Sequence, residues 1–237
     1  MKKIFIGFIL IIFSVNNINA QKKDIVEYHQ NWDKQKIFWG YYLGVNMKDY
    51  KITYLTDDNT FINVTPSMGF NVGLIGDYRL HNNISIRLEP GLSSNTKELD
   101  FTYISGGPQD SIRKVNATYL RVPLLLKFNT NRYNNIRPYV IGGVSYDYNF
   151  SSNEENGKDN FEQEFRMTKH NFMYEVGFGV DFYMYFFKFT PSIRGVFAMN
   201  NELVNDTNPI NSDYSSPWTG PIDFLGTRGL FLNLTFE

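Results

Sequence analysis

The sequence predicts an all-β fold, an eight-stranded antiparallel transmembrane β-barrel of the outer-membrane type. Two independent observations predict it. Segments of apolar–polar alternation recur along the chain, and this period of two is typical of strands with one apolar and one polar face. The connections between these segments alternate between short and long without exception, as the turns and loops of outer-membrane barrels do.

The clearest strand is segment 172–182, in which the even positions are all apolar while the odd positions include Glu175 and Asp181. The same pattern marks seven other segments, and eight is an allowed even number for a closed bacterial barrel. The eight predicted strands are 39–46, 70–79, 84–92, 119–128, 140–148, 172–182, 187–197 and 230–236. Pro90, Pro123, Pro138 and Pro191 lie in or beside them, where we expect strand starts, bulges or local breaks in the ladder.

Connection lengths predict the orientation of the barrel. The short connections are 81–83, 129–135 and 184–186, and the long ones are 48–66, 96–116, 151–169 and 200–228. Outer-membrane barrels have short periplasmic turns and longer extracellular loops. We therefore expect four extracellular loops and both termini in the periplasm.

The first residues predict export. Lys2 and Lys3 precede an apolar run, 4–15, that is too short to span a bilayer, and a polar stretch then ends at Ala20. We expect a signal peptide over 1–20, a flexible periplasmic N-terminal lead over 21–36, and the barrel over 37–237. No cysteine lies near the expected cleavage site, which excludes lipid attachment there.

Composition narrows the function. Aromatic residues make up 17% of the chain, which suits a barrel with an apolar lipid face and aromatic rims, so outer-membrane lipids are expected partners. A formal net charge of -1 argues against nucleic-acid binding. The absence of cysteine excludes disulfides and thiolate sites.

Charged residues of both signs occupy the inward positions of the predicted strands. An eight-stranded barrel is narrow enough for side chains to fill it, and unpaired charges there would cost several kcal/mol each. We therefore expect a structural ion-pair network rather than the alternative, a proton or solute path, and no porin activity. Its predicted members are Asp77, Arg79, Arg87, Glu89, Arg121, Lys127, Glu175, Asp181, Lys188 and Arg194.

Catalytic chemistry finds little support in the residues. Of the three histidines, His29 lies in the lead, His81 in a predicted turn, and His170 at the start of a strand with no serine or carboxylate partner that the sequence identifies. The acidic segment 154–164 lacks the ligand spacing of a calcium loop. We expect no enzyme activity, cofactor, metal or small-molecule substrate. A lipid-modifying enzyme that uses His170 is the least favoured alternative.

Several segments resemble the PorT/SprT family of the type IX secretion system. Segments 38–46, 87–92 and 119–128 also resemble small outer-membrane barrels in general, whereas 164–168, 174–179, 187–197 and 216–220 resemble PorT/SprT itself. The resemblance implies a role in protein export across the outer membrane, including delivery of gliding adhesins, with other type IX components as partners. It provides no catalytic residue. One departure is Glu237, which follows Phe236 where such barrels commonly end in an aromatic residue.

Because the lumen is too narrow for a folded protein, we expect a scaffold or assembly factor of the secretion machinery. The alternative is a generic small barrel that acts as an adhesin or stabilises the envelope. The candidate partner-binding segment is Pro217, Trp218, Thr219 and Gly220, since an exposed tryptophan in a long loop commonly anchors an interface. Alternatively, Trp218 folds back over the barrel mouth or enters the lipid interface.

Overall fold

The computed structural model describes residues 26–55, 61–104, 111–154, 165–204 and 216–237. The predicted signal peptide, 1–20, lies outside these residues. Ten strands form one antiparallel sheet. They are β1 (Ile37–Tyr54), β2 (Ile62–Pro66), β3 (Met68–His81), β4 (Ile84–Leu88), β5 (Gly91–Phe101), β6 (Ile112–Asn129), β7 (Ile136–Asn149), β8 (His170–Tyr183), β9 (Lys188–Ala198) and β10 (Ile222–Phe236).

The ten segments form eight barrel strands. β2 continues into β3 across Ser67, and β4 continues into β5 across Glu89 and Pro90. β1 pairs with β3 on one side and with β10 on the other, so the pairings close into a ring. The predicted antiparallel barrel is therefore confirmed. We call the end with the three short connections the turn end, and the opposite end the loop end.

Side-chain exposure follows the alternation that predicted the strands. Along β1, Trp39 is 75% exposed and Leu43 50%, whereas the intervening Tyr42 is 4% exposed. The same contrast separates Phe178 (59%) from Asp181 (2%) on β8. Apolar side chains therefore form a belt on the outside, because successive residues of a strand point to opposite faces of the sheet.

Strands at the loop end are longer than predicted, so three of the four long connections are shorter. β1 runs to Tyr54, β5 to Phe101, β6 begins at Ile112 and β10 at Ile222. In these extensions the polarity of the two faces is reversed: Tyr50 and Leu99 point inward and are buried, whereas Lys51 and Thr53 point outward and are exposed. The sequence analysis missed these extensions, because it looked for apolar residues on the outer face, and only the membrane part of each strand has them there.

Of the four prolines noted above, Pro90 interrupts a strand, while Pro123, Pro138 and Pro191 lie within β6, β7 and β9. At the Pro90 break the chain keeps its register, because Leu88 pairs with Gly76 and Gly91 with Gly73. The paired Gly73 and Gly91 also leave room for the inward ring of Tyr42, since a Cβ on Gly73 would lie 2.6 Å from Tyr42 Cε1. The break thus leaves the barrel wall continuous.

Candidate functional site

The barrel interior is the candidate site, because the alternation of eight strands directs most of the buried charged side chains into it. Arg87 is central and fully buried. Its Nε lies 2.9 Å from Asp77 Oδ2, its Nη2 lies 2.8 Å from Glu237 Oε1, and its Nη1 lies 3.6 Å from Glu89 Oε1. One guanidinium therefore joins β3, β4 and the residue that follows β10.

A second group of pairs lies around Arg194. Its two terminal nitrogens contact both oxygens of Glu89, at 2.5 and 2.8 Å, in a bidentate pair. Arg194 also approaches Glu175 Oε2 at 3.8 Å. Glu175 pairs in turn with Arg121, whose Nε lies 2.9 Å from Asp147 Oδ2. These contacts connect five of the eight barrel strands through charged side chains.

Asp181 forms a third group of pairs. Lys127 Nζ lies 2.7 Å from its Oδ2, Lys188 Nζ lies 3.9 Å from the same oxygen, and Thr190 Oγ1 donates to its Oδ1 at 2.9 Å. Lys188 also pairs with Glu237. Each buried charge of this group therefore has at least one opposite charge beside it, as burial in a low-dielectric interior requires.

Nine of the ten residues proposed for the interior network are brought together there, and Arg79 is not. Arg79 lies at the turn end, where it pairs with Asp33 at 3.3 Å. The structure adds Asp147 and Glu237, which the proposed network omitted. Both have the inward parity of their strands, so the alternation contained the signal for them. Among the described residues, the network has five cations and six carboxylates: Arg87, Arg121, Lys127, Lys188, Arg194, Asp77, Glu89, Asp147, Glu175, Asp181 and Glu237.

Buried asparagine side chains lie on the inner face of the barrel, on β1, β3, β5 and β10. Asn46 Nδ2 donates to Asn71 Oδ1 at 3.0 Å, and Asn95 Nδ2 donates to Asn46 Oδ1 at 3.1 Å. Asn71 Nδ2 donates in turn to Asn233 Oδ1. The alternation placed Asn46, Asn71 and Asn233 inside, but the sequence did not show that they bond to one another across the wall.

Two lysines and one carboxylate lie between this polar interior and the loop end. Lys97 Nζ lies 3.5 Å from the ring centroid of Tyr50 and donates to Thr227 Oγ1 at 3.2 Å. Lys48 Nζ lies 4.1 Å from the ring centroid of Tyr119. Glu202 accepts from the Thr227 amide at 3.0 Å and from its hydroxyl at 2.7 Å. Glu202 follows β9, outside the strands, and its burial raises the pKa of its carboxyl while nearby Lys97 opposes the shift.

An apolar cluster closes the loop end. Its buried members are Tyr50, Ile62, Leu99, Phe101, Val115, Phe165, Met167, Leu203, Ile222 and Leu225. Trp218 is half-buried and packs against this cluster, and the guanidinium carbon of Arg113 lies 4.9 Å from its ring centroid. Three arrangements were considered for Trp218: an interface anchor, a ring folded back over the mouth, and a ring in the lipid interface. Its packing against the cluster corresponds to the second. In the same segment, Pro217 is exposed, Thr219 buried and Gly220 half-buried.

The turn end is covered by the N-terminal lead. Residues 26–36, predicted to be flexible, instead lie against the barrel with a short 3-10 turn at Trp32–Lys34. The carboxylate of Asp33 pairs with Arg79, Arg137 and Arg132, at 3.3, 3.1 and 3.5 Å. These contacts join Asp33 to residues that are 46, 99 and 104 positions away in the sequence, which local composition does not reveal.

His170 lies at the loop-end rim, at the start of β8, as predicted. His170 is exposed, and its Nδ1 lies 2.6 Å from the hydroxyl of Tyr146. The two rings are stacked, with their centroids 6.0 Å apart. Over the described ranges, no group of three or more His, Cys, Asp or Glu side chains is arranged to hold a metal ion. In that same part of the chain, no helix has the length and apolar character needed to cross a membrane.

A closed antiparallel barrel with an apolar outer belt and an ion-paired interior defines a class, the small outer-membrane β-barrels. Comparison with known families agrees: the sequence profile described as "Outer membrane protein beta-barrel domain" matches residues 19–204. The chain belongs to this family and is a protein of the outer membrane. No curated protein matches it by sequence.

Solved structures of low sequence identity resemble the barrel. OprG from Pseudomonas aeruginosa is 14% identical with a TM-score of 0.46, over 84% of this chain and 92% of that one. Neisserial surface protein A is 8% identical with a TM-score of 0.46, over 85% and 98%. Ail, the attachment invasion locus protein of Yersinia pestis, is 14% identical with a TM-score of 0.39, over 85% and 98%.

Proposed function

We propose that this barrel is an accessory component of the type IX secretion machinery, in which it serves as a scaffold or assembly factor rather than as the pore. The resemblance of segments 164–168, 174–179, 187–197 and 216–220 to PorT/SprT proteins supports the assignment to this machinery. The filled interior supports the scaffold role. The proposed partners are other components of the machinery and outer-membrane lipids, with both termini in the periplasm.

The observation that carries the scaffold role is closure at three levels. The lead covers the turn end, the ion-pair network crosses the middle, and the apolar cluster closes the loop end. Opening a path would separate buried charge pairs such as Arg194 and Glu89, which costs several kcal/mol for each ion left unpaired. A polypeptide substrate would therefore cross the membrane beside this barrel, through another component.

Deletion of the gene tests the role in secretion. We expect loss of type IX substrates from the culture medium and the cell surface, and recovery when the wild-type gene is supplied. The Arg228→Met variant changes an exposed ion pair at the loop end and should restore secretion as well as the wild type. Unchanged secretion in the deletion strain would reject the type IX role. If surface adhesion or envelope integrity alone were lost, the generic-barrel alternative would stand.

Planar-bilayer recordings test the closed lumen. We expect no sustained conductance from the wild-type protein, because the charged network spans the middle of the barrel. The Asp33→Asn variant should also remain silent, since loosening the turn end leaves that network intact. A steady ohmic current from the wild type would contradict the scaffold role and support a channel.

A further inference from the structure

The turn end of the barrel binds the N-terminal lead through hydrogen bonds to its main chain, as a peptide-binding surface binds a peptide. The amide side chain of Asn135 contacts the lead's main chain at two points: its Nδ2 donates to Val26 O at 2.9 Å, and the Tyr28 amide donates to its Oδ1 at 2.9 Å. Arg132 donates to the carbonyl oxygen of Tyr28 as well. These bonds go to the backbone, so they hold an extended segment whatever its side chains are.

Side-chain recognition is concentrated on one carboxylate. Asp33 Oδ1 lies 3.1 Å from Arg137 Nη1 and 3.3 Å from Arg79 Nη2, and it accepts from the Tyr183 hydroxyl at 3.1 Å. Asp33 Oδ2 lies 3.5 Å from Arg132 Nη1. The four donors come from β3, β7, β8 and the turn between β6 and β7. Three guanidinium groups thus converge on a single acidic side chain.

Two of the three arginines, Arg132 and Arg137, are held in place by hydrogen bonds within the barrel. Arg137 Nε donates to Thr130 O at 2.9 Å, and another of its nitrogens donates to Asn82 O. Arg132 Nε donates to Asn134 O at 2.6 Å, and its guanidinium carbon lies 3.8 Å from the ring centroid of Tyr183. None of these contacts involves the lead, so Arg132 and Arg137 keep their positions when the lead leaves, as in a preorganised site. The side-chain hydrogen bonds of Arg79 go to Asp33 of the lead, and its guanidinium also lies over the ring of Phe38 on β1.

The lead is well suited to exchange. None of residues 26–36 is buried, and its ring contacts are few, chiefly Trp32 stacked on Phe38 at 5.6 Å and Tyr28 edge-on to Tyr185 at 5.8 Å. Its attachment is therefore mostly polar and directed at Asp33. An outside segment with the same features could take its place without opening any apolar core.

We propose that the surface formed by Arg79, Arg132, Asn135, Arg137 and Tyr183 docks an extended segment of a partner protein that presents an acidic residue beside an aromatic one. The chain's own Trp32 and Asp33 cover this surface in cis. The partner segment binds when the lead is displaced. This inference does not rest on the proposed role in type IX secretion.

The test uses the full-length protein in lipid nanodiscs and the Asp33→Asn variant, which keeps the side-chain shape but loses the charge. We expect faster hydrogen exchange of residues 26–36 in the variant, with unchanged exchange in the strands. The probe is a synthetic peptide with the sequence of residues 26–36. It should bind the variant about tenfold more tightly than the wild type, whose tethered lead competes at high effective concentration.

Two controls define the outcome. The same peptide carrying asparagine at the position of Asp33 should bind neither protein, and Asp49→Asn, at the exposed pair with Arg228, should behave as the wild type. If Asp33→Asn does not fold, Trp32→Ala, which removes the ring of the lead that stacks on Phe38 and leaves the docking surface unchanged, takes its place. The proposal would be overturned by any of three results. These are unchanged hydrogen exchange of the lead in the variant, absence of peptide binding, and binding of anionic phospholipid vesicles in preference to the peptide.

Discussion

Replacing Arg87 by methionine should lower the free energy of unfolding by about 3–5 kcal/mol, because the change leaves buried carboxylates without their cation. Arg87 is fully buried and contacts Asp77, Glu89 and Glu237. Methionine keeps the apolar stem of the side chain as far as the position of Nε, so the loss reports the removal of the guanidinium. Denaturant unfolding of the barrel in lipid vesicles measures it.

The matched control is Arg228→Met. Arg228 pairs with Asp49 at 2.6 Å, but its side chain is 54% exposed, so the cost should stay below about 1 kcal/mol. Adding Asp77→Asn to Arg87→Met should recover part of the loss, since one stranded carboxylate becomes neutral. Equal losses for the two arginine variants would show that the interior pairs contribute no more than surface pairs.

Phe101→Ala should destabilise the barrel by about 3–5 kcal/mol, the usual cost of removing a buried phenylalanine. Phe101 is fully buried in the loop-end cluster, where its ring centroid lies 6.1 Å from those of Phe165 and Tyr103. The same unfolding measurement applies. Limited proteolysis should also cleave the loop end of the variant faster, because the cavity loosens the packing of Phe165 and Leu203.

Phe150 provides the control for this second change. It also lies at the loop end but is 57% exposed, so Phe150→Ala should cost less than about 1 kcal/mol. If Phe101→Ala unfolded as the wild type does and resisted protease equally, the loop-end cluster would not be a stabilising core. The extensions of β1, β5 and β6 would then be held by their backbone pairing alone.

Alternation of residue types was sufficient to predict the barrel and the direction of its side chains. The phase of each strand follows from period two, so the inward positions of Arg87, Glu175 and Asp181 could be named from sequence. Which inward charges pair could not be named, since pairing depends on the register between strands. Arg79 illustrates this: it lies near the end of β3, where the lead, rather than the lumen, supplies its carboxylate.

The loop-end extensions escaped prediction for a different reason. In β1 the inward residue Tyr50 is apolar and the outward Lys51 is polar, which is the ordinary pattern of a soluble sheet and the opposite of the membrane part. A sequence search for strands with an apolar outer face and a polar inner face ends each strand where this pattern reverses. The docked lead was missed because its partners, such as Arg137 and Asn135, are distant in sequence.

The reversal of polarity along β1 also measures the hydrophobic thickness of the protein. Outward residues are apolar from Ile37 to Met47 and become polar from Asp49 onward. Ten residue steps of about 3.4 Å, tilted by about 45°, give an apolar band about 24 Å tall, close to the roughly 25 Å of outer-membrane barrels. Little mismatch with the bilayer is therefore expected, and the remainder of β1 up to Tyr54 stands above the lipid as a rigid rim about 15 Å high.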